Sequence, residues 1–85
     1  LEEERKDDYR IRYMREHLRE VSRAISAGIP VDGYFCWSIM DTNEIYGGGF
    51  THMFGLVQVD FETKERHRRD SWYYYQNVIA SGKVD

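Results

Sequence analysis

The run from Gly33 to Glu44, GYFCWSIMDTNE, limits what this chain can fold into more than any other stretch, because an apolar aromatic segment breaks off there into polar groups. Tyr34, Phe35, Cys36 and Trp37 leave no polar face, the pattern of a strand covered on both sides. Strands of that kind belong to parallel sheets and barrels, whose ligand-binding groups stand at the carboxyl ends. Trp37, Ser38, Asp41, Asn43 and Glu44 therefore fall where a site is expected.

What surrounds the run is mostly helix. Leu1 to Lys6 reads as a charged, solvated lead-in. From Asp7 or Asp8, an acidic cap, Ile11, Met14, Leu18, Val21 and Ile25 recur at the 3-4-3-4 spacing of one helix face, and the opposite face is rich in Arg and Glu. Gly28 and Pro30 end this helix, glycine by taking the left-handed position and proline by barring continuation. Phe54 to Phe61 alternates as a second, shorter strand, Glu62 to Lys64 reads as a turn, and Lys64 to Arg69, KERHRR, as a solvated charged loop. Asp70 or Ser71 caps a last helix with Trp72, Tyr75, Val78 and Ile79 on its apolar face, ending near Gly82.

Composition removes several classes of function. Seven Tyr, four Phe and two Trp among 85 residues are too many rings for a disordered tail. A net charge of −3 argues against nucleic acid as a partner. No run approaches the roughly 20 apolar residues of a membrane span, and the start of the chain has no apolar core of a signal peptide. The single Cys36 lies inside the apolar run, which fits a small buried hydrophobe in a reducing compartment, so the cytoplasm is the expected location.

The chemistry-bearing patterns are few. His17, His52 and His67 have no second ligand at zinc spacing, so no metal is expected, and no cofactor. The glycines at 47–49 lack the Lys-Ser/Thr of a phosphate loop and the spacing of a dinucleotide fingerprint, so a plain turn is the better reading. Carboxylates remain. Asp41 and Glu44, three apart beyond the aromatic strand, could share a site, although loop hydrogen bonding explains Asp41 equally well.

Taken together, GYFCWSIMDTNEI from Gly33 and GFTHMFGLVQVDF from Gly49 resemble the C-terminal signature of glycoside hydrolase family 1, the β-glucosidase and β-galactosidase family. That signature runs roughly G-Y-F-x-W-S-x-x-D-N-F-E-W and then G-Y/F-x-x-R-F-G-L-x-x-V-D. The flanks DDYRIRYMREHLREVSRAISAGIPV and RRDSWYYYQNVIASG are similar to that family's seventh and last barrel helices, so the likeness covers Asp7 to Gly82. It implies an α/β fold, the C-terminal part of a (β/α)₈ TIM barrel, with the last two helices and Val31 to Ser38 as the eighth strand. A complete barrel needs about 250 residues, so residues 1–85 are expected to be one fragment of it and not an independent domain.

The resemblance further implies a retaining β-glycosidase that acts with two glutamates. Neither glutamate motif, T-x-N-E-P or T-E-N-G, occurs here, so no catalytic residue is expected in this chain. Carried over by position are substrate-binding residues: Trp37 as the platform under the sugar ring, Glu44 as the acceptor for the O4 and O6 hydroxyls, and Phe50 bordering the pocket. Ile45 stands where the family usually has a second Trp that donates its indole N–H, and Met53 replaces an Arg. The implied partners are a β-glucoside or β-galactoside and the remainder of the barrel, possibly as a separate chain. A stand-alone, non-catalytic carbohydrate-binding or interaction module is the alternative. A 6-phospho-β-glycosidase is a weaker one, because Glu44 would repel a 6-phosphate.

Overall fold

The computed structural model describes residues 2–42 and 53–85. Two helices hold a small hairpin between them: α1 (Asp8–Ser26), β1 (Val57–Val59), β2 (Arg66–Arg68) and α2 (Asp70–Ser81), preceded by a single 3₁₀ turn, Glu3–Arg5. The 3-4-3-4 stripe of α1 faces inward through Met14 and Leu18, which are buried, while Ile25 at its far end is half exposed. Its C-terminus closes as expected. Gly28 has a φ of +87°, its N–H donates to Ile25 O, and the N–H of Ile29 donates to Ala24 O, both at 3.0 Å, which is the paired closure of a Schellman motif. At the end of α2 Gly82 is likewise left-handed, with a φ of +70°, and donates to Val78 O at 2.8 Å.

The helix starts depart from expectation. Asp7 is the N-cap of α1 and Arg69 that of α2, yet neither side chain caps its own helix. Asp7 instead reaches across to the other helix: one of its carboxylate oxygens accepts the backbone N–H of Ser71 at 2.9 Å and the other accepts the Ser71 hydroxyl. That second oxygen also takes Arg10 Nη1. One buried carboxylate thus satisfies an orphan N–H in the first turn of α2 and pairs with a cation of α1, so the two helices are pinned start to start.

Lys64 to Arg69 is largely exposed, as expected of a charge run, but its centre is a strand and its last residue, Arg69, is buried. Arg66–Arg68 pairs antiparallel with Val57–Val59, in the register Val57 with Arg68 and Val59 with Arg66. The ladder bonds are made by the backbone, so a charged sequence serves on an exposed strand, where charge also discourages pairing with other chains. The connection turns at Asp60, whose Oδ1 accepts the N–H of Glu62 at 2.9 Å and of Thr63 at 3.2 Å. Those two bonds, led by Thr63, hold the Asp60 carboxyl below its ordinary value. Their contribution is present above the unfolded-state value and is lost as pH falls through the folded one. The N-terminal lead-in is docked too, with Glu4 Oε2 accepting Gln58 Nε2 at 3.1 Å and Arg5 Nε donating to Gln58 Oε1 at 2.9 Å.

Val31 to Ser38 forms no regular strand, and it is not covered on both sides. Backbone pairing begins only at Ser38, whose N–H donates to Phe54 O at 3.2 Å and whose carbonyl accepts Leu56 N–H at 3.0 Å. Val57 N–H then donates to Ile39 O and Asp41 N–H to Val57 O, each at 3.0 Å, so residues 38–41 run parallel to 54–57. Upstream of Ser38 no partner strand lies alongside among the described residues, which leaves the run without a ladder. The Cα radius of gyration is 14.4 Å, above the roughly 12 Å of a compact domain of this length.

Replacing Asp7 by Ala strands Arg10 and the start of α2 together, and breaking a buried pair of this kind costs about 3 to 5 kcal/mol. Denaturant unfolding of the complete protein, followed by helical circular dichroism, is expected to show a loss of that size for Asp7→Ala. A change below about 1 kcal/mol, the scale of an exposed ion pair, would place the helix junction elsewhere.

Candidate functional site

Along Tyr34 to Met40 the side chains alternate. Tyr34, Cys36, Ser38 and Met40 turn toward the protein, while Phe35, Trp37 and Ile39 are 97%, 70% and 61% exposed. Period-2 alternation is the geometry of extended backbone even without a ladder. It puts Trp37 on one face with the two most apolar neighbours of the run. The Trp37–Ser38 peptide bond is cis.

Two grooves flank this segment. One is apolar, about 430 Å³, and runs between Tyr34, Cys36 and Ile39 on one wall and Trp72, Tyr75 and Ile79 of α2 on the other. Trp72 carries a buried indole N–H with no partner among the described residues. The other groove is wider and more polar, and is bounded by Tyr9, Tyr13 and Met14 of α1, by Trp37, and by Met53 and Phe54.

Asp41 is not a solvent-facing site carboxylate. It is buried, 1% exposed in its side chain, against an Arg69 side chain that is 3% exposed. Arg69 Nη1 and Nη2 donate to its two oxygens at 2.7 and 3.0 Å, a bidentate pair. Oδ1 also accepts Gly55 N–H at 3.0 Å and Oδ2 accepts Val59 N–H at 3.2 Å. With its acceptors taken by a guanidinium and two backbone amides, Asp41 serves the frame. Gly55 is required beside it, since a Cβ there would run into the backbone of Met40 and Asp41.

Of the substrate-binding residues expected from the sequence, the structure places Trp37 as above, whereas Glu44, Ile45 and Phe50 lie outside the described residues. Reading the sequence did not single out Arg10 or Arg69. Arg69 was hidden in a charge run, and its only distinguishing signal is its place immediately before the start of a helix. Arg10 stands at the edge of the α1 apolar stripe, one residue before Ile11. Among the described residues no cluster of His, Cys, Asp and Glu could hold a metal ion, and no helix is long and apolar enough to cross a membrane.

Comparison with known proteins decides the affiliation, for the family model described as Glycosyl hydrolase family 1 matches residues 1–84. The chain belongs to glycoside hydrolase family 1. It is 47% identical over 75 residues to a 1,4-β-D-glucan glucohydrolase of Thermotoga neapolitana, a match spanning 88% of this chain and 17% of that protein. It is 44% identical over 78 residues to a 6-phospho-β-galactosidase of Streptococcus equi subsp. zooepidemicus, spanning 92% of this chain and 16% of that one. A solved family 1 β-glucosidase of Thermotoga maritima superposes with a TM-score of 0.88 at 38% identity, over 94% of this chain and 18% of the other. The chain therefore spans less than a fifth of the length of these family 1 relatives, and its two helices and hairpin match one part of such an enzyme.

Cys36 is half-buried rather than the fully buried thiol expected from the sequence. Burial pushes it up from its ordinary value, against a smaller opposing pull from Arg10. Burial also raises the phenols of Tyr34 and Tyr75, whose rings meet edge to face at 6.4 Å. Because the thiolate is the nucleophile, alkylation of Cys36 by iodoacetamide at pH 7.5 is expected to run at least several-fold slower than that of a free thiol peptide. Equal rates would mean that the segment leaves its place beside α2.

Proposed function

We propose that residues 1–85 are the C-terminal part of a retaining β-glycosidase, supplying glycone-recognition residues to a site whose two catalytic glutamates lie in the rest of the barrel. In this reading Val31 to Ser38 is the eighth barrel strand and α1 and α2 are the last two helices of the barrel's outer layer. The observation that carries it is the alternation at Tyr34–Ile39. The inner face of a barrel strand must be apolar, yet here Phe35, Trp37 and Ile39 stand in water beside two grooves. A seventh and a first strand beside this segment would complete the ladder, and the side chains filling the closed barrel would cover that face. The large radius of gyration supports a piece of a domain over a module that folds alone.

Trp37 then presents a flat aromatic surface to the apolar C–H face of a pyranose, and Glu44 accepts charge-assisted hydrogen bonds from two sugar hydroxyls. Phe50 and Ile45 border the same pocket. The substrate is a terminal β-glucoside or β-galactoside. Kinship to a 6-phospho-β-galactosidase brings a second reading forward, but a carboxylate at Glu44 opposes a 6-phosphate by like charge. The single thiol, with no second cysteine in this sequence to pair with, fits a reducing compartment, and the cytoplasm is the location proposed.

In the complete protein, Glu44→Gln is expected to lower kcat/KM on an aryl β-glucoside by a factor corresponding to about 2 to 4 kcal/mol, the cost of removing a bond that strengthens in the transition state. Unchanged kinetics on both gluco and galacto substrates would remove Glu44 from the glycone site. For residues 1–85 alone, sedimentation and thermal melting are expected to show self-association or a broad, concentration-dependent transition. A sharp, concentration-independent melt of a monomer would favour the independent module.

A further inference from the structure

The polar core ends at the extended segment that carries Trp37, and its wiring gives Arg69 more than a packing role. Ser38, the residue after Trp37, is held by two backbone bonds to Phe54 and Leu56. Residues 54–56 are in turn fixed by Arg69: its backbone N–H donates to Leu56 O at 2.9 Å and its Nη1 donates to Gly55 O at 2.6 Å. The same guanidinium grips Asp41, three residues beyond Ser38, by both oxygens. Arg10 adds a bond from α1, its Nη2 donating to Met53 O at 2.6 Å. The stretch 43–52 therefore leaves at Thr42 and returns at Met53 between residues that one buried cation ties together.

We propose that Arg69 is a positioning residue for sugar recognition, setting the place of the Trp37 ring through Gly55, Leu56 and Ser38. The inference rests on the reading of Trp37 as the sugar platform. A planar fork is needed for this, because Asp41 and the Gly55 carbonyl are engaged at once and in different directions. A lysine ammonium keeps the charge but cannot hold that geometry. A ring displaced by an ångström under a sugar loses alignment, which alone can cost between about 10- and 100-fold in rate.

The test is a double-mutant cycle in the complete protein, with kcat/KM on an aryl β-glucoside and the melting temperature measured for wild type, Arg69→Lys, Trp37→Ala and the double variant. Expected is a loss on the order of 10-fold or more for Arg69→Lys in the wild-type background, shrinking to less than about 2-fold once Trp37 is Ala. Any drop in melting temperature should be the same in both backgrounds. An equal kinetic loss with and without Trp37, or none at all, overturns the positioning role. If Trp37→Ala itself leaves kcat/KM unchanged, the platform reading fails and the inference falls with it. Should Arg69→Lys not accumulate as folded protein, Asp41→Asn is carried through the same cycle, with the same outcomes.

Discussion

The buried pair between Arg69 and Asp41 is the interaction on which the rest of this structure depends. Taking two charges out of water is costly, and the attraction between them offsets that only when geometry is good and every remaining polar valence is filled. Here the filling comes from the frame itself: two backbone amides to the carboxylate, and the Gly55 carbonyl to the guanidinium. The Glu4 carbonyl accepts Arg69 Nε at 3.3 Å as well. Helix start, parallel ladder and N-terminal turn are thus registered against one another by groups that tolerate little misplacement. The apolar core could not do this alone, since among the described residues only Met14, Leu18 and Leu56 are buried hydrophobics.

The second carboxylate, Asp7, repeats the principle at the helix junction. It lends its charge to an N–H in the first turn of α2, where a helix start favours an anion, and it neutralises Arg10 at the same time. Both clusters join elements far apart in sequence, Asp7 to Ser71 and Asp41 to Arg69. The fold is therefore held by polar contacts of long range laid over a thin hydrophobic seam.

Much of the frame was legible in the sequence because it rests on local rules. The stripe of α1, the Gly28 stop and the Gly82 stop follow from helical period and the left-handed tolerance of glycine, and the structure has all three. What escaped were pairings decided by tertiary contacts. A cap residue such as Asp7 looks local, yet its oxygens serve the other helix. An arginine in KERHRR looks solvated, yet strand pairing of residues 66–68 carries Arg69 inward. The aromatic run reads as covered on both faces because it has no polar side, yet composition does not say which face is packed, and Phe35, Trp37 and Ile39 are exposed. Resemblance carried the family affiliation, which no single motif could have done.

The hydrogen bond between Asp41 and Gly55 closes a ring around residues 42–54, and it is made entirely by the residues at the ring's neck. The entropic cost of closing a chain segment grows only logarithmically with its length, by roughly 0.6 kcal/mol for each doubling, so the neck depends on the bonds made at it far more than on the number of residues it encloses. A shift of one residue at the neck breaks its bonds together, because Asp41, Gly55 and Arg69 share them. The groups that hold the neck, Asp41, Gly55 and Arg69, are thus distinct from Glu44, Ile45 and Phe50, the residues proposed to meet the sugar, so that a change of sugar preference can be made without touching the bonds of the frame.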